Sequence, residues 1–126
     1  MAQLSSKLRS VKNPNGVTGI AHWCPGCNDI HEFAISGKNS SGAQWSWDGN
    51  AEAPTCNPSM NIRANTPDMK GYNSCAGSLV CHYFLKGGQI QFLGDSTHIL
   101  KGQIVPLPDF PPEGIHRLKY GWFKDV

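Results

Sequence analysis

The sequence predicts a mainly β fold: a small β-rich single domain of antiparallel hairpins, stabilised by zinc, with little helix. Three observations carry this. Short runs alternate apolar and polar residues with period two, as strands with one buried face do. Fourteen Gly and nine Pro punctuate those runs, which keeps strands short and turns numerous. Four Trp, five Phe and three Tyr, in a chain of 126 residues that is 39% apolar, supply one modest core.

Residues 1–16 are polar and end in the turn-forming cluster Asn13-Pro14-Asn15-Gly16. They read as an N-terminal arm with at most a helical turn over Ser5 to Lys12, and residues 17–126 as the domain. Val17 to Trp23 reads as a strand delivering Cys24. After a Pro-Gly turn, Ile30 to Ser36 alternates again, with His31, Phe33 and Ile35 on one face and Glu32 and Ala34 on the other. The pair is a hairpin with Cys24 and Cys27 at its tip.

A Gly/Ser/Asn loop then leads to a short strand in which Trp45 and Trp47 point the same way, ended by the turn Asp48-Gly49-Asn50. Prolines at 54 and 58 make the next stretch an edge or extended connection, with a strand from Met60 to Ala64. Asn65 to Gly77 reads as a surface loop. The best-defined hairpin is Ser78 to Gly94, its two apolar runs joined by Lys86-Gly87-Gly88. Alternation sets Cys81 on the face of Leu79 and Tyr83, and His82 on that of Val80 and Phe84. A turn over Gly94 to His98, a strand over Ile99 to Val105 and a closing strand or helix over Ile115 to Phe123 complete the chain.

A net charge of +2 gives no electrostatic footprint for nucleic acid. No apolar run approaches the ~20 residues that cross a bilayer, and the polar start lacks the apolar region of a signal peptide. A cytoplasmic protein without membrane partners is expected. Five cysteines, an odd number, then favour metal-held or reduced thiols over a disulfide framework.

Cys24-Pro25-Gly26-Cys27 has the form of a zinc knuckle, whose turn lets two thiolates reach one tetrahedral Zn2+. No second pair stands at a familiar spacing, so the other ligands must be assembled in space. Pairing across Lys86-Gly87-Gly88 sets Cys81 roughly opposite Leu93, with His98 a few residues beyond. The expected metal ligands are therefore Cys24, Cys27, Cys81 and His98, with His82 and His31 as first replacements; Cys56 and Cys75 read as non-ligands. A thioredoxin-like exchange reaction would need a helix at the first cysteine, and Asn28 to Ser36 has period two instead. A catalytic metal is the stronger rival: with three protein ligands, a bound water would have Asp95, His31 or Glu32 as its proton acceptor, in a cleft lined by His82, His31 and Asp95.

The combination of Cys24-Pro25-Gly26-Cys27, Trp47-Asp48-Gly49-Asn50, Pro54-Thr55, Pro58-Ser59, Cys81-His82-Tyr83-Phe84, Asp95 and Thr97-His98 resembles a family of small proteins encoded by tailed bacteriophages and prophages. The likeness runs from about His22 to Leu107. It implies a phage accessory protein that works in the host bacterial cytoplasm by binding a host or phage protein, with inhibitors of host defence, such as anti-CRISPR proteins, as one such class. Two alternatives stand beside this expectation: a metal-dependent hydrolase with a Cys/His zinc site, and, more weakly, a zinc-ribbon-like module that binds nucleic acid.

Overall fold

In the computed structural model, residues 2–39, 42–64 and 79–111 are described, and they form nine strands and no helix. The mainly β expectation is met. The strands are β1 (Ala2–Gln3), β2 (Arg9–Lys12), β3 (Thr18–Cys24), β4 (Asp29–Ser36), β5 (Ser46–Trp47), β6 (Cys56–Ala64), β7 (Leu79–Lys86), β8 (Gln89–Phe92) and β9 (Ile104–Pro106). They pair in chain order, antiparallel throughout, into a four-stranded sheet β1-β2-β3-β4 and a five-stranded sheet β5-β6-β7-β8-β9.

One core cluster draws on both sheets. Leu8, Ile20 and Phe33 from the first meet Met60, Tyr83, Leu85, Ile90, Phe92 and Leu107 from the second and its flank. A smaller cluster, Ala21, Trp23, Ile30 and Phe110, covers the opposite face of the first sheet. Strand β3 is thus buried on both faces, with Ile20, His22 and Cys24 alternating against Ala21 and Trp23.

Residues 2–12, expected as a peripheral arm, contribute two strands instead. The Ser5 hydroxyl accepts from the Lys7 and Leu8 amides, at 3.1 Å each, and donates to the Ala51 carbonyl at 2.7 Å. This local turn drives Leu8 fully into the core and launches β2 alongside β3. Apolar content alone missed it, because a single leucine among polar neighbours does the anchoring.

The two hairpins come out where alternation put them. In the second, Gly87 and Gly88 take φ of 55° and 76°, the two positive values that a tight hairpin turn requires. A Cβ on Gly88 would also lie 2.9 Å from the Ala53 Cα. Pairing of Lys86 with Gln89 and of Tyr83 with Phe92 shifts the expected register by one residue. Strand β6 begins at Cys56, earlier than expected, while Ile99 to Gln103 is mostly turn, so only 104–106 is strand. The expectations for Asn65 to Gly77, Cys75 and Ile115 to Phe123 fall outside the described residues.

Candidate active site and metal centre

Strand β7 carries two sets of functional side chains, one on each face. Cys81, Tyr83 and Leu85 are fully buried, while His82 on the alternate face is partly exposed.

On the inner face, the knuckle turn brings Cys24 and Cys27 up to Cys81. The Cys24 and Cys81 sulfurs are 3.8 Å apart, and the Cys27 amide donates to the Cys24 sulfur at 3.4 Å. The turn closes through the Asn28 amide on the Cys24 carbonyl, 2.7 Å away, with Asn28 in the left-handed region at φ 58°. The fourth member is His31, which β4 sets directly across from His22. Ligand atoms of Cys24, Cys27, His31 and Cys81 all lie within 4.8 Å of one another, and all four residues are buried. Three soft thiolates and one imidazole in that space can hold a metal ion.

His98, expected as the fourth ligand, sits against this group, with Nε2 3.3 Å from the Cys81 sulfur. Its Nδ1 accepts from the Leu100 amide at 3.2 Å, which directs the ring proton to Nε2 and makes His98 a donor to the sulfur. Its ring also covers the knuckle: a Cβ on Gly26 would collide with the His98 imidazole, so that position admits only glycine while the ring stays.

His31 is prepared for the ligand role by what lies behind it. Its Nδ1 is 2.9 Å from the Tyr83 hydroxyl, leaving Nε2 as the nitrogen for a metal. The Tyr83 hydroxyl is 2.6 Å from His22 Nε2, and His22 Nδ1 is 3.1 Å from the Trp23 carbonyl. One assignment satisfies every member. His31 Nδ1–H donates to Tyr83, Tyr83 donates to His22 Nε2, and His22 Nδ1–H donates to the carbonyl. Burial, then the neighbouring His31, lowers the His22 pKa to about 4, so it is the neutral acceptor this chain needs. Burial first, then the thiols, holds the Tyr83 hydroxyl protonated far above its usual range.

The thiols have the electrostatics of a group that could hold a cation. Burial alone would raise the Cys24 pKa, yet hydrogen bonds from Cys27 and Cys81, with His31 nearby, hold it well below the ordinary thiol range. Cys27 is pushed far up, through its bonds with Cys24 and Cys81 and through burial. A divalent ion held by these sulfurs would favour the thiolate form of each.

On the outer face, Ser59 Oγ lies 3.0 Å from His82 Nε2, and His82 Nδ1 lies 3.0 and 3.2 Å from the two Asp95 carboxylate oxygens. The Ser59 hydroxyl donates to Nε2 while Nδ1–H donates to the carboxylate, which is the geometry of a Ser-His-Asp triad. A bulge in β6 delivers the serine. Cys56 pairs with Leu85 and Met60 with Tyr83, so Asn57, Pro58 and Ser59 all stand against Phe84. Trp45 Nε1 pins the bulge by donating to the Ser59 carbonyl at 3.3 Å.

The turn after β8 delivers the aspartate. Ser96, 3% exposed, accepts from the His82 amide and donates to the His82 carbonyl, both at 3.1 Å. Thr97 does the same for Val80, accepting its amide at 3.0 Å on Oγ1 and donating its own amide to the carbonyl at 2.9 Å. These two side chains extend the pairing along β7 where β8 has ended, and Asp95 is thereby held beside the imidazole.

His82 and Asp95 therefore meet as the sequence suggests for an enzyme, whereas His31 belongs to the opposite, buried face. Ser59 is not among the site residues that the sequence pattern singles out. It stands in no local nucleophile motif such as Gly-x-Ser-x-Gly, and only the pairing of β6 with β7 sets it beside His82, 23 positions along the chain. The one available signal was the Asp95–His82 pair, which calls for a nucleophile on the far ring nitrogen.

Residues 2–93 match the model of a protein family described as bacterial ubiquitination-like system serine protease (BubE). No curated protein and no solved structure matches the chain. No helix long and apolar enough to cross a membrane occurs among the described residues.

Proposed function

This chain belongs to the BubE family, and from that premise we propose that it is a serine protease in which Ser59 is the nucleophile, His82 the general base and Asp95 the group that orients it. The observation that carries the proposal is the line Ser59 Oγ, His82 Nε2, His82 Nδ1, Asp95, with both links at 3.0 Å. The family description supports the same chemistry independently of that geometry.

In the reaction, Ser59 Oγ attacks the scissile carbonyl as its proton passes to His82 Nε2. The tetrahedral adduct collapses, the C–N bond breaks, and His82 gives the proton to the departing amine. Water, deprotonated by His82, then hydrolyses the acyl-Ser59 ester and regenerates the serine. Asp95 keeps the imidazole in the tautomer that accepts at Nε2 and stabilises the imidazolium.

The buried Cys24, Cys27, His31 and Cys81 set is read as a closed structural zinc site. Zn2+ bound there would supply charge neutralisation and a cross-link between the β3–β4 hairpin and β7. A metal-dependent hydrolase is disfavoured because Cys24, Cys27, His31 and Cys81 would hold the ion with four buried donors, while the partly exposed His82 and half-exposed Asp95 face the other way. The family description further supports a substrate protein within a bacterial ubiquitination-like system. The host or phage protein expected as partner is then the substrate, cut in the bacterial cytoplasm.

The test compares wild type, Ser59→Ala and His82→Ala on a small activated ester and on a fluorogenic peptide library. Both variants are expected to lose hydrolysis while keeping their metal. Unchanged hydrolysis by Ser59→Ala contradicts the assignment.

A further inference from the structure

The backbone around the triad is asymmetric. The Val80 and His82 amides and carbonyls are all engaged on the side away from β6: His82 with Ser96 Oγ and the Leu93 amide, Val80 with Thr97. In an antiparallel pair a residue's N–H and C=O point to the same side, and the side alternates along the strand. Asn61 and Arg63, which stand directly opposite His82 and Val80, therefore occupy positions without ladder bonds to β7. They turn their own N–H and C=O groups to the other edge of β6. Ser59, two residues earlier, does so too, since its carbonyl meets Trp45 on that side.

Strand β5 covers this edge only at Cys56 and Asn57. The chain before β5 departs toward the first sheet, where the Trp45 amide donates to the Ala34 carbonyl at 2.8 Å. Among the described residues no strand pairs with Asn61 or Arg63 on that side, and both are exposed. An edge of unpaired donors and acceptors is a template for another strand, and folds commonly block such edges. Here the open stretch, Asn61 to Arg63, begins two residues beyond the nucleophile, whose own carbonyl Trp45 takes, and spans about 7 Å at ~3.3 Å per residue.

We infer that the substrate polypeptide binds as an added strand along this edge, its backbone pairing with Asn61 and Arg63 and its scissile carbonyl set over Ser59 Oγ. The inference rests on the serine protease reading and names the form of substrate that the site takes: an extended, unfolded segment. Main-chain pairing supplies affinity, and every second side chain of the segment lies on the open face beside Asn61 and Arg63.

The test uses the wild-type protein and a short fluorogenic peptide selected from a random-sequence library. Its amides are N-methylated one at a time on both sides of the cleaved bond. On one side, kcat/KM is expected to fall about tenfold or more at alternate positions, as loss of a directional hydrogen bond would cause, with little change between them. Asn61→Pro, which removes an outward N–H without a ladder bond, should lose a similar factor on the unmethylated peptide while retaining its metal. Methyl-insensitive cleavage, or sensitivity without alternation, overturns the inference while ester hydrolysis at Ser59 leaves the protease reading standing. Failure to hydrolyse both the ester and the parent peptide overturns the two together.

Discussion

Cys81 and His82 are neighbours in the chain that face opposite sides of one strand, the thiol in the buried donor set and the imidazole between Ser59 and Asp95. The buried donor set and the Ser59-His82-Asp95 line thus share a single piece of backbone. A loosened Cys81 displaces His82 directly, and misplacement by about 1 Å can cost 100-fold in rate. Cys81→Ser is therefore expected to lose metal and at least tenfold in kcat, as read by metal analysis and steady-state hydrolysis. Cys24→Ser should lose metal as well. Full metal in both variants would contradict the donor set.

Asp95 is half-exposed, so its contribution to folding is small and its contribution to the tautomer of His82 is large. Asp95→Asn should lower kcat by roughly 10,000-fold, as loss of the orienting carboxylate does in such triads. The thermal midpoint should stay nearly constant, which calorimetry on the same preparation checks.

Tyr83 links His31 to His22, and removing its hydroxyl leaves a buried donor and a buried acceptor unsatisfied. Tyr83→Phe is expected to weaken metal binding by roughly 10- to 100-fold, the usual effect of losing the partner of a ligating histidine. Competition with a chromophoric chelator measures it. The core volume is unchanged, so the same variant should still unfold cooperatively in excess metal.

Acid should destabilise the fold through His22. Its folded-state value is about 4 against an ordinary 6.5, so between those values the unfolded chain binds a proton that the folded chain refuses. The stability contribution is fully present above pH 6.5 and is lost as pH falls toward 4, by about 3 kcal/mol at one unit per 1.36 kcal/mol. Denaturant unfolding at a series of pH values, in saturating zinc, should show this slope in wild type. In His22→Gln, which still offers Tyr83 an acceptor, the slope should be reduced.

Much of this was legible in the chain itself. Both hairpins, the tip position of Cys24 and Cys27, and the opposed faces of Cys81 and His82 follow from period-two alternation, because that signal is local. The choice between His31 and His98 is not local. It turns on a cross-strand position opposite His22 and on ring tautomers set by Tyr83 and the Leu100 amide. Ser59 was least accessible, since a bulge against Phe84 aims it and a strand pairing supplies its partner. Leu8 shows the same limit in the core: one buried leucine, held by the Ser5 turn, converts a polar arm into strands.

Covalent labelling tests most directly whether Ser59 is an activated nucleophile. After incubation with a fluorophosphonate, the intact protein should carry one adduct, and peptide mapping should locate it at Ser59. His82→Ala should abolish labelling while retaining metal. A wild-type protein that stays unlabelled, or one labelled at another residue with Ser59 untouched, would contradict the account.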